Sequence, residues 1–130
     1  LLNANNGEPV YGKTRLMKMM FLIKTELKKR GIILDDFYDF SMYYYSPFSD
    51  ELERDLQMLI RNEYVNHYTR PRFGVIENIY EITEEGKRRI KRIIVPRQII
   101  NIVEEVKKKY NHMPLSSLIR TVYTIMRKPL

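Results

Sequence analysis

The chain of 130 residues contains no cysteine and only two histidines. Without cysteine it can form no disulfide, no zinc knuckle and no thiol nucleophile, and this composition fits a cytoplasmic protein. His67 and His112 fall in different predicted elements, and neither has a carboxylate at metal-ligand spacing. The sequence therefore predicts neither a metal site nor a cofactor. It also has no glycine-rich phosphate loop, and no apolar run reaches the roughly 18 residues needed to cross a bilayer.

What the chain does contain is enough apolar sequence for a single core. Hydrophobic residues make up 44% of the chain and charged residues 30%. No repeat or low-complexity linker divides it, so residues 1–130 are predicted to form a single domain. Lysine, arginine, isoleucine, glutamate and tyrosine are abundant, as in many hyperthermophile proteins.

Charge is strongly biased and unevenly distributed. The net charge is +7 and the sequence pI is about 9.6, which favours nucleic acid or an acidic protein as the partner. Residues 13–30 hold seven cations and one acid, whereas residues 35–55 hold seven acids and one arginine. The chain after Gly86 is basic again. The two opposed blocks either pair within the fold or present separate faces to partners.

Hydrophobic spacing predicts helices over 14–30, 50–62, 84–94, 97–110 and 115–127, with a β-hairpin near 64–83. This order predicts an α+β fold: a mostly helical, winged-helix-like domain with one hairpin wing and two C-terminal helices. We expect residues 1–6 to form the last turn of a helix. The predicted core consists of Leu16, Ile23, Leu52, Leu56, Leu59, Ile82, Val103, Leu118 and Val122.

Helix ends are marked by residues that cap them. Thr14 is the expected N-cap of the first long helix, and Gly31 is placed to end it. Thr83 is expected to cap the helix after the hairpin, with acids favourably placed in its first turn. Three methionines in residues 13–30 have the spacing of core residues. In residues 97–110, we expect Lys107 to lie in solvent with its neighbours.

The segment around Ser46-Pro47-Phe48-Ser49 follows a run of aromatic residues. The sequence is compatible with either a short helix or an extended loop over residues 32–45. We expect most of the aromatic rings in this segment to pack within the protein. Ser46, Ser49 and Asp50 are alternative N-caps of the helix that follows, and Pro47 suits a first helical position. We expect Phe48 to pack against the core and one serine to bond a backbone N–H.

Four segments together resemble the Panacea, or SocA-like, antitoxin-domain superfamily and its archaeal and bacterial relatives. They are Thr14–Phe21, Tyr45–Ser49, Tyr80–Gly86 and Leu115–Tyr123. Relatives typically carry glycine at the position of Ser46, so no positive φ is required there in this chain. The resemblance covers most of residues 14–123. It implies a winged-helix-like α+β fold and a regulatory or interaction role, and it implies no catalytic residues.

The sequence predicts that the protein is not an enzyme. Catalysis by Ser46 or Ser49 would need a general base, and the sequence indicates none. Asp35, Asp36 and Asp39 lack the spacing of a calcium loop. The acids near residue 50 lie at a helix start, where negative charge is favourable without any catalytic role.

Double-stranded DNA is the predicted partner, bound mainly through its phosphates. A winged helix usually reads the major groove with the helix before the wing. Here that helix, residues 50–62, carries four acids, so we expect base readout to be poor. Phosphate contacts are expected instead from the wing and the helix after it. The candidate nucleic-acid-binding residues are Arg70, Arg72, Lys87, Arg88 and Arg92, with Arg54 and Arg61 on the preceding helix.

The alternative prediction is a protein-interaction module, antitoxin-like or an adaptor, that uses the acidic helix 50–62. A continuous basic face would favour DNA, and acids that interrupt this face would favour a protein. A homodimer is left open.

Overall fold

The computed structural model describes residues 1–43 and 46–127 and shows an α+β fold. Within these ranges, no helix is long and apolar enough to cross a membrane. The helices are α1 (Ala4–Gly7), α2 (Lys13–Lys29), α3 (Asp50–Arg61), α4 (Glu84–Ile90), α5 (Arg97–Tyr110) and α6 (Leu115–Arg127). The strands are β1 (Val10–Tyr11), β2 (Ser41–Tyr43), β3 (Ser46–Phe48), β4 (Val65–Arg72) and β5 (Val75–Ile82).

The five predicted long helices and the hairpin are all present, but some of their ends differ. Helix α4 ends at Ile90 rather than near residue 94, because the next bonds switch to the tighter i→i+3 spacing, from Arg92 to Arg89 and from Ile93 to Ile90. The predicted N-cap Thr14 is wrong, since Gly12 precedes the first helical residue. The N-terminal residues form only the four-residue α1, which is irregular because Asn5 and Asn6 have left-handed backbone angles.

Two antiparallel sheets organise the strands. The larger sheet has the order β1-β5-β4, and the smaller one pairs β2 with β3. In the larger sheet, Val65 lies opposite Ile82 and Arg72 lies opposite Val75, so only Phe73 and Gly74 form the hairpin loop. Strand β1 adds to the other edge of β5, with Val10 opposite Tyr80. The hairpin therefore extends well beyond the short strand that supports its base.

Helix α2 lies at the centre of the core and contacts α5 and α6. Six of the predicted core residues are buried: Leu16, Ile23, Leu52, Leu56, Leu118 and Val122. Ile82 and Val103 are only partly buried. Leu59 is 39% exposed, contrary to prediction, and it lines an apolar groove of about 630 Å³ between α2, α3 and α4. Met17 and Met19 are core residues, as the methionine spacing predicted.

Lys107 is fully buried, contrary to the prediction that it lies in solvent. Its ammonium donates to the carbonyl oxygens of Leu2 (3.2 Å) and Ala4 (2.7 Å). Burial lowers the pKa of Lys107 to about 8. One turn later, Asn111 donates to Glu8 and to the Pro9 carbonyl. Helix α5 therefore holds the N-terminal segment in place through side chains that a sequence pattern assigns to the surface.

The base of the hairpin is joined to α3 and α4 by a compact set of backbone contacts. Thr83 N–H donates to the Tyr64 carbonyl, and Thr83 Oγ1 donates to the Glu63 carbonyl at 2.7 Å. The same hydroxyl accepts from Gly86 N–H and caps α4, as predicted. A Cβ on Gly86 would collide with the Tyr64 carbonyl oxygen and lie 2.7 Å from Ile82 Cγ1. Only glycine permits this approach of α4 to the hairpin.

The contrast between two leucines on α3 tests the position of the core. We expect Leu56→Ala to lower the free energy of unfolding by about 2 to 5 kcal/mol, because it leaves a cavity at a buried position. Leu59→Ala removes the same atoms from a partly exposed position and should cost clearly less. Urea denaturation of both variants measures the difference. Equal losses would show that the groove beside Leu59 is closed in solution.

The close approach at Gly86 predicts that an added methyl group is costly. We expect Gly86→Ala to lower the free energy of unfolding by about 1 to 3 kcal/mol, although alanine favours helix elsewhere. Glu85→Ala, one residue earlier and exposed, is the matched control and should change stability by about 0.5 kcal/mol or less. A Gly86→Ala protein as stable as the original would contradict the contact with Tyr64.

Candidate nucleic-acid interface

The acidic start of α3 is divided between an exposed side and a side that faces the protein. Ser49 is the N-cap, and its hydroxyl accepts from Leu52 N–H at 3.1 Å. Asp50 and Glu51 are exposed. Glu53 instead accepts from Lys13 at 2.7 Å, and this hydrogen bond raises the pKa of the Lys13 ammonium.

A second acid of α3 also faces inward. Asp55 accepts from the Tyr38 hydroxyl at 2.6 Å, and Asp55 is only partly exposed. Burial, followed by this hydrogen bond and the nearby carboxylate charge, raises the pKa of Tyr38 well above its usual range. Two of the four acids that the sequence places on α3 are therefore engaged with other elements.

The remaining exposed face of α3 carries cationic and polar groups. Arg54, Gln57 and Arg61 are spaced three and four residues apart and are all exposed. Arg54 and Arg61 form no ion pair with any residue the structure describes. Beyond the exposed Asp50 and Glu51, this face presents two guanidinium groups to solvent.

The arginines of the wing share one carboxylate. Side chains alternate along a strand, so Arg70 and Arg72 lie on the same face of β4, opposite Glu77 on β5. Arg70 contacts one Glu77 oxygen at 3.3 Å and Arg72 contacts the other at 3.4 Å. The Arg70 guanidinium also lies over the Tyr11 ring, at 4.9 Å from its centroid. Near the tip, one carboxylate is shared by two guanidinium groups and leaves an excess positive charge, whereas Glu81 adds a second acid on the same face nearer the base of the hairpin.

Two of the three candidate cations after the wing are paired with acids of α4. Lys87 contacts Glu84 at 3.3 Å, and Arg88 contacts Glu85. Arg92 has no carboxylate partner in the described ranges. Acids therefore interrupt the basic residues both on the wing and on α4, and no uninterrupted basic face forms from these five residues.

The wing arginines and the α4 cations do not form one cluster. Arg70 lies opposite Glu77, and the cap Thr83 is six positions further along the extended chain. At about 3.3 Å per residue, this distance is about 20 Å. The candidate phosphate-binding cations therefore form two groups, one near the tip of the wing and one at its base.

The Ser46–Ser49 segment differs from expectation in two respects. Residues Ser46–Phe48 form β3, so of the three possible caps the structure has Ser49, and Pro47 is not a helical residue. Phe48 is 36% exposed and is not a member of the core cluster, so its predicted packing is wrong. Tyr44 and Tyr45 lie outside the described residues.

Lys18 is a buried contact of this segment that the sequence did not identify. Its ammonium donates to Ser46 Oγ at 2.9 Å, and burial lowers the pKa of Lys18. The bond connects α2 to β3, two elements separated by 28 positions along the chain. A lysine in a strongly basic stretch gave no signal that it would point inward.

Comparison with protein-family models, curated proteins and solved structures gives no significant match. No group of three histidine, cysteine, aspartate or glutamate residues in the described ranges is arranged to hold a metal ion.

The cap of α3 predicts a measurable loss of stability. Ser49→Ala should lower the free energy of unfolding by about 1 kcal/mol, because Leu52 N–H loses its acceptor at a buried position. Ser116→Ala, an exposed serine in the first turn of α6, is the control and should have little effect. Chemical denaturation compares the two, and equal effects would exclude Ser49 as the stabilising cap.

Proposed function

We propose that this protein is a DNA-associated regulator of winged-helix type. The order of the three-stranded sheet supports the winged-helix interpretation: a short strand before α2 adds to the outer edge of the hairpin that follows α3. Helix α3 leads directly into the hairpin, as the recognition helix of such domains does.

The observation that carries this proposal is the exposed face of α3. Four acids on the helix before a wing would repel DNA, but Glu53 and Asp55 are bonded to Lys13 and Tyr38. Arg54 and Arg61 remain in solvent. Arginine suits phosphate and guanine contacts because its planar donors bind bidentately.

The spacing of the basic groups favours a long polyanion over a small ligand. Arg70 lies opposite Glu77, which is about 20 Å along β5 from the start of α4, and this span corresponds to about six base pairs of duplex. A nucleotide or a free phosphate cannot span this distance. A duplex offers phosphates along the whole of it.

The ion pairs within these groups are weak enough for phosphate to replace them. Arg70, Arg72 and Arg88 are all exposed, and exposed ion pairs contribute about 0 to 1 kcal/mol each. Phosphate can therefore compete for the guanidinium groups, while Glu77 lowers the affinity by competing with it. We infer that binding is led by backbone contacts rather than by base readout.

Salt-titrated binding to random-sequence duplex DNA tests the proposal. Each neutralised phosphate contributes about 0.9 to the slope of log affinity against log salt. We expect Arg70→Ala with Arg72→Ala to flatten the slope by about two units, and Arg54→Ala with Arg61→Ala to do the same. Glu77→Gln should strengthen binding, because it removes the competing carboxylate without adding a cation.

A matched control separates local contacts from net charge. Lys108→Ala with Arg120→Ala removes two exposed cations from α5 and α6, and it should leave the slope nearly unchanged. Equal slopes for all three double variants would show that only total charge matters. Undetectable duplex binding at low salt would refute the proposal, as would tight, salt-insensitive binding to one sequence.

A protein-interaction module, antitoxin-like or an adaptor, is the second candidate. The observation that favours it is the apolar groove between α2, α3 and α4, beside which Met58 and Leu59 are exposed. Acids that interrupt the basic residues also favour a protein over DNA. If duplex binding is undetectable, this candidate takes the place of the first.

A further inference from the structure

An aromatic residue occupies the most exposed point of the wing. Phe73 is 93% exposed and lies in the two-residue loop between Arg72 and Val75. Val75 and Ile76, the next residues after the loop, are also exposed. Large apolar side chains this exposed are seldom grouped at a hairpin tip unless they contact a partner.

The backbone conformation at this position is unfavourable for phenylalanine. Phe73 has φ of 50° and Gly74 has φ of 77°. Two positive φ values in a two-residue loop are typical of a type I′ turn, which favours asparagine, aspartate or glycine at its first position. A bulky residue with positive φ is strained, and such outliers concentrate at functional sites. Packing against the core does not offset this cost, since the ring contacts no residue of the core cluster.

The surroundings of the ring are cationic. The Arg72 guanidinium lies 5.6 Å from the Phe73 ring centroid, and Arg70 lies on the same strand face. Phosphate-binding arginines beside an apolar tip are the combination that minor-groove proteins use: the cations hold the backbone while an apolar side chain enters between base pairs. The two-residue loop exposes only one ring, so it can enter one base step.

We propose that Phe73 is a wedge that inserts from the minor groove into a base step of duplex DNA and partly unstacks it. This inference rests on the proposed DNA-binding function and adds to it a preference among DNA sequences. Pyrimidine–purine steps such as TA unstack most easily, and A-tracts resist deformation. The protein should therefore favour duplexes with a central TA step without reading base edges.

The test compares wild type with Phe73→Asn on duplexes that carry 2-aminopurine beside a central TA step. Wild-type binding should raise the fluorescence, because 2-aminopurine brightens when it is unstacked. Phe73→Asn should abolish this rise and weaken binding to the TA duplex about tenfold, within the range of base-stacking contributions. Binding to an A-tract duplex should change much less.

Two further measurements keep the result interpretable. Phe73→Asn should keep or raise the melting temperature, because asparagine suits the first position of this turn. Ile94→Asn is the control, since Ile94 is 97% exposed but lies after α4, and it should behave as wild type on DNA. If Phe73→Asn lowers the melting temperature, Phe73→Gly repeats the test with a residue that also accepts positive φ.

Each outcome decides the proposal. If wild type binds duplex DNA and Phe73→Asn retains both the fluorescence rise and the affinity, the wedge is refuted and the proposed function stands. If wild type does not bind duplex DNA, both are refuted. A Phe73-dependent preference for single-stranded DNA would overturn insertion into a duplex and assign the ring to stacking on free bases.

Discussion

The junction at the base of the hairpin is the constraint on which the rest of the candidate interface depends. Thr83 bonds the backbone of Glu63 and Tyr64 at the end of α3, and it also caps α4. Because Gly86 has no side chain, α4 can approach the Tyr64 carbonyl. The junction therefore fixes the relative positions of α3, the β4–β5 hairpin and α4. A duplex could be contacted by all three only if this geometry is maintained.

The charge that the surface of this protein presents depends on which acidic and basic side chains form ion pairs, and not only on the net charge. In the basic block of residues 13–30, Lys13 forms an ion pair with Glu53, and Lys24 forms one with Asp39 at 3.2 Å. Some charges of the acidic and basic blocks therefore neutralise each other within the fold. What remains outside, on α3 and on the wing, is a sparse set of arginines.

The Ser46–Ser49 segment, which stood out in the sequence, is mainly structural in the described fold. Ser49 caps α3, and Ser46 is the acceptor for the buried Lys18. The tip of the wing carries the exposed ring of Phe73 beside its arginines. Its position follows from the register of β4 and β5, because that register leaves only two residues for the loop. A change of register would move a different side chain to the tip.

Local sequence determined which elements form, because helical spacing, Gly31 after α2 and Thr83 before α4 act between near neighbours. The predicted helices and hairpin are present, although the N-cap of α2 and the end of α4 differ from prediction. Tertiary structure decided which of those residues lie inside. Lys107 and Lys18 are buried because carbonyl or hydroxyl acceptors from distant segments meet them. Leu59 has core spacing but lies beside an open groove. Burial and charge pairing depend on what packs opposite a side chain, and periodicity along one helix carries no information about that.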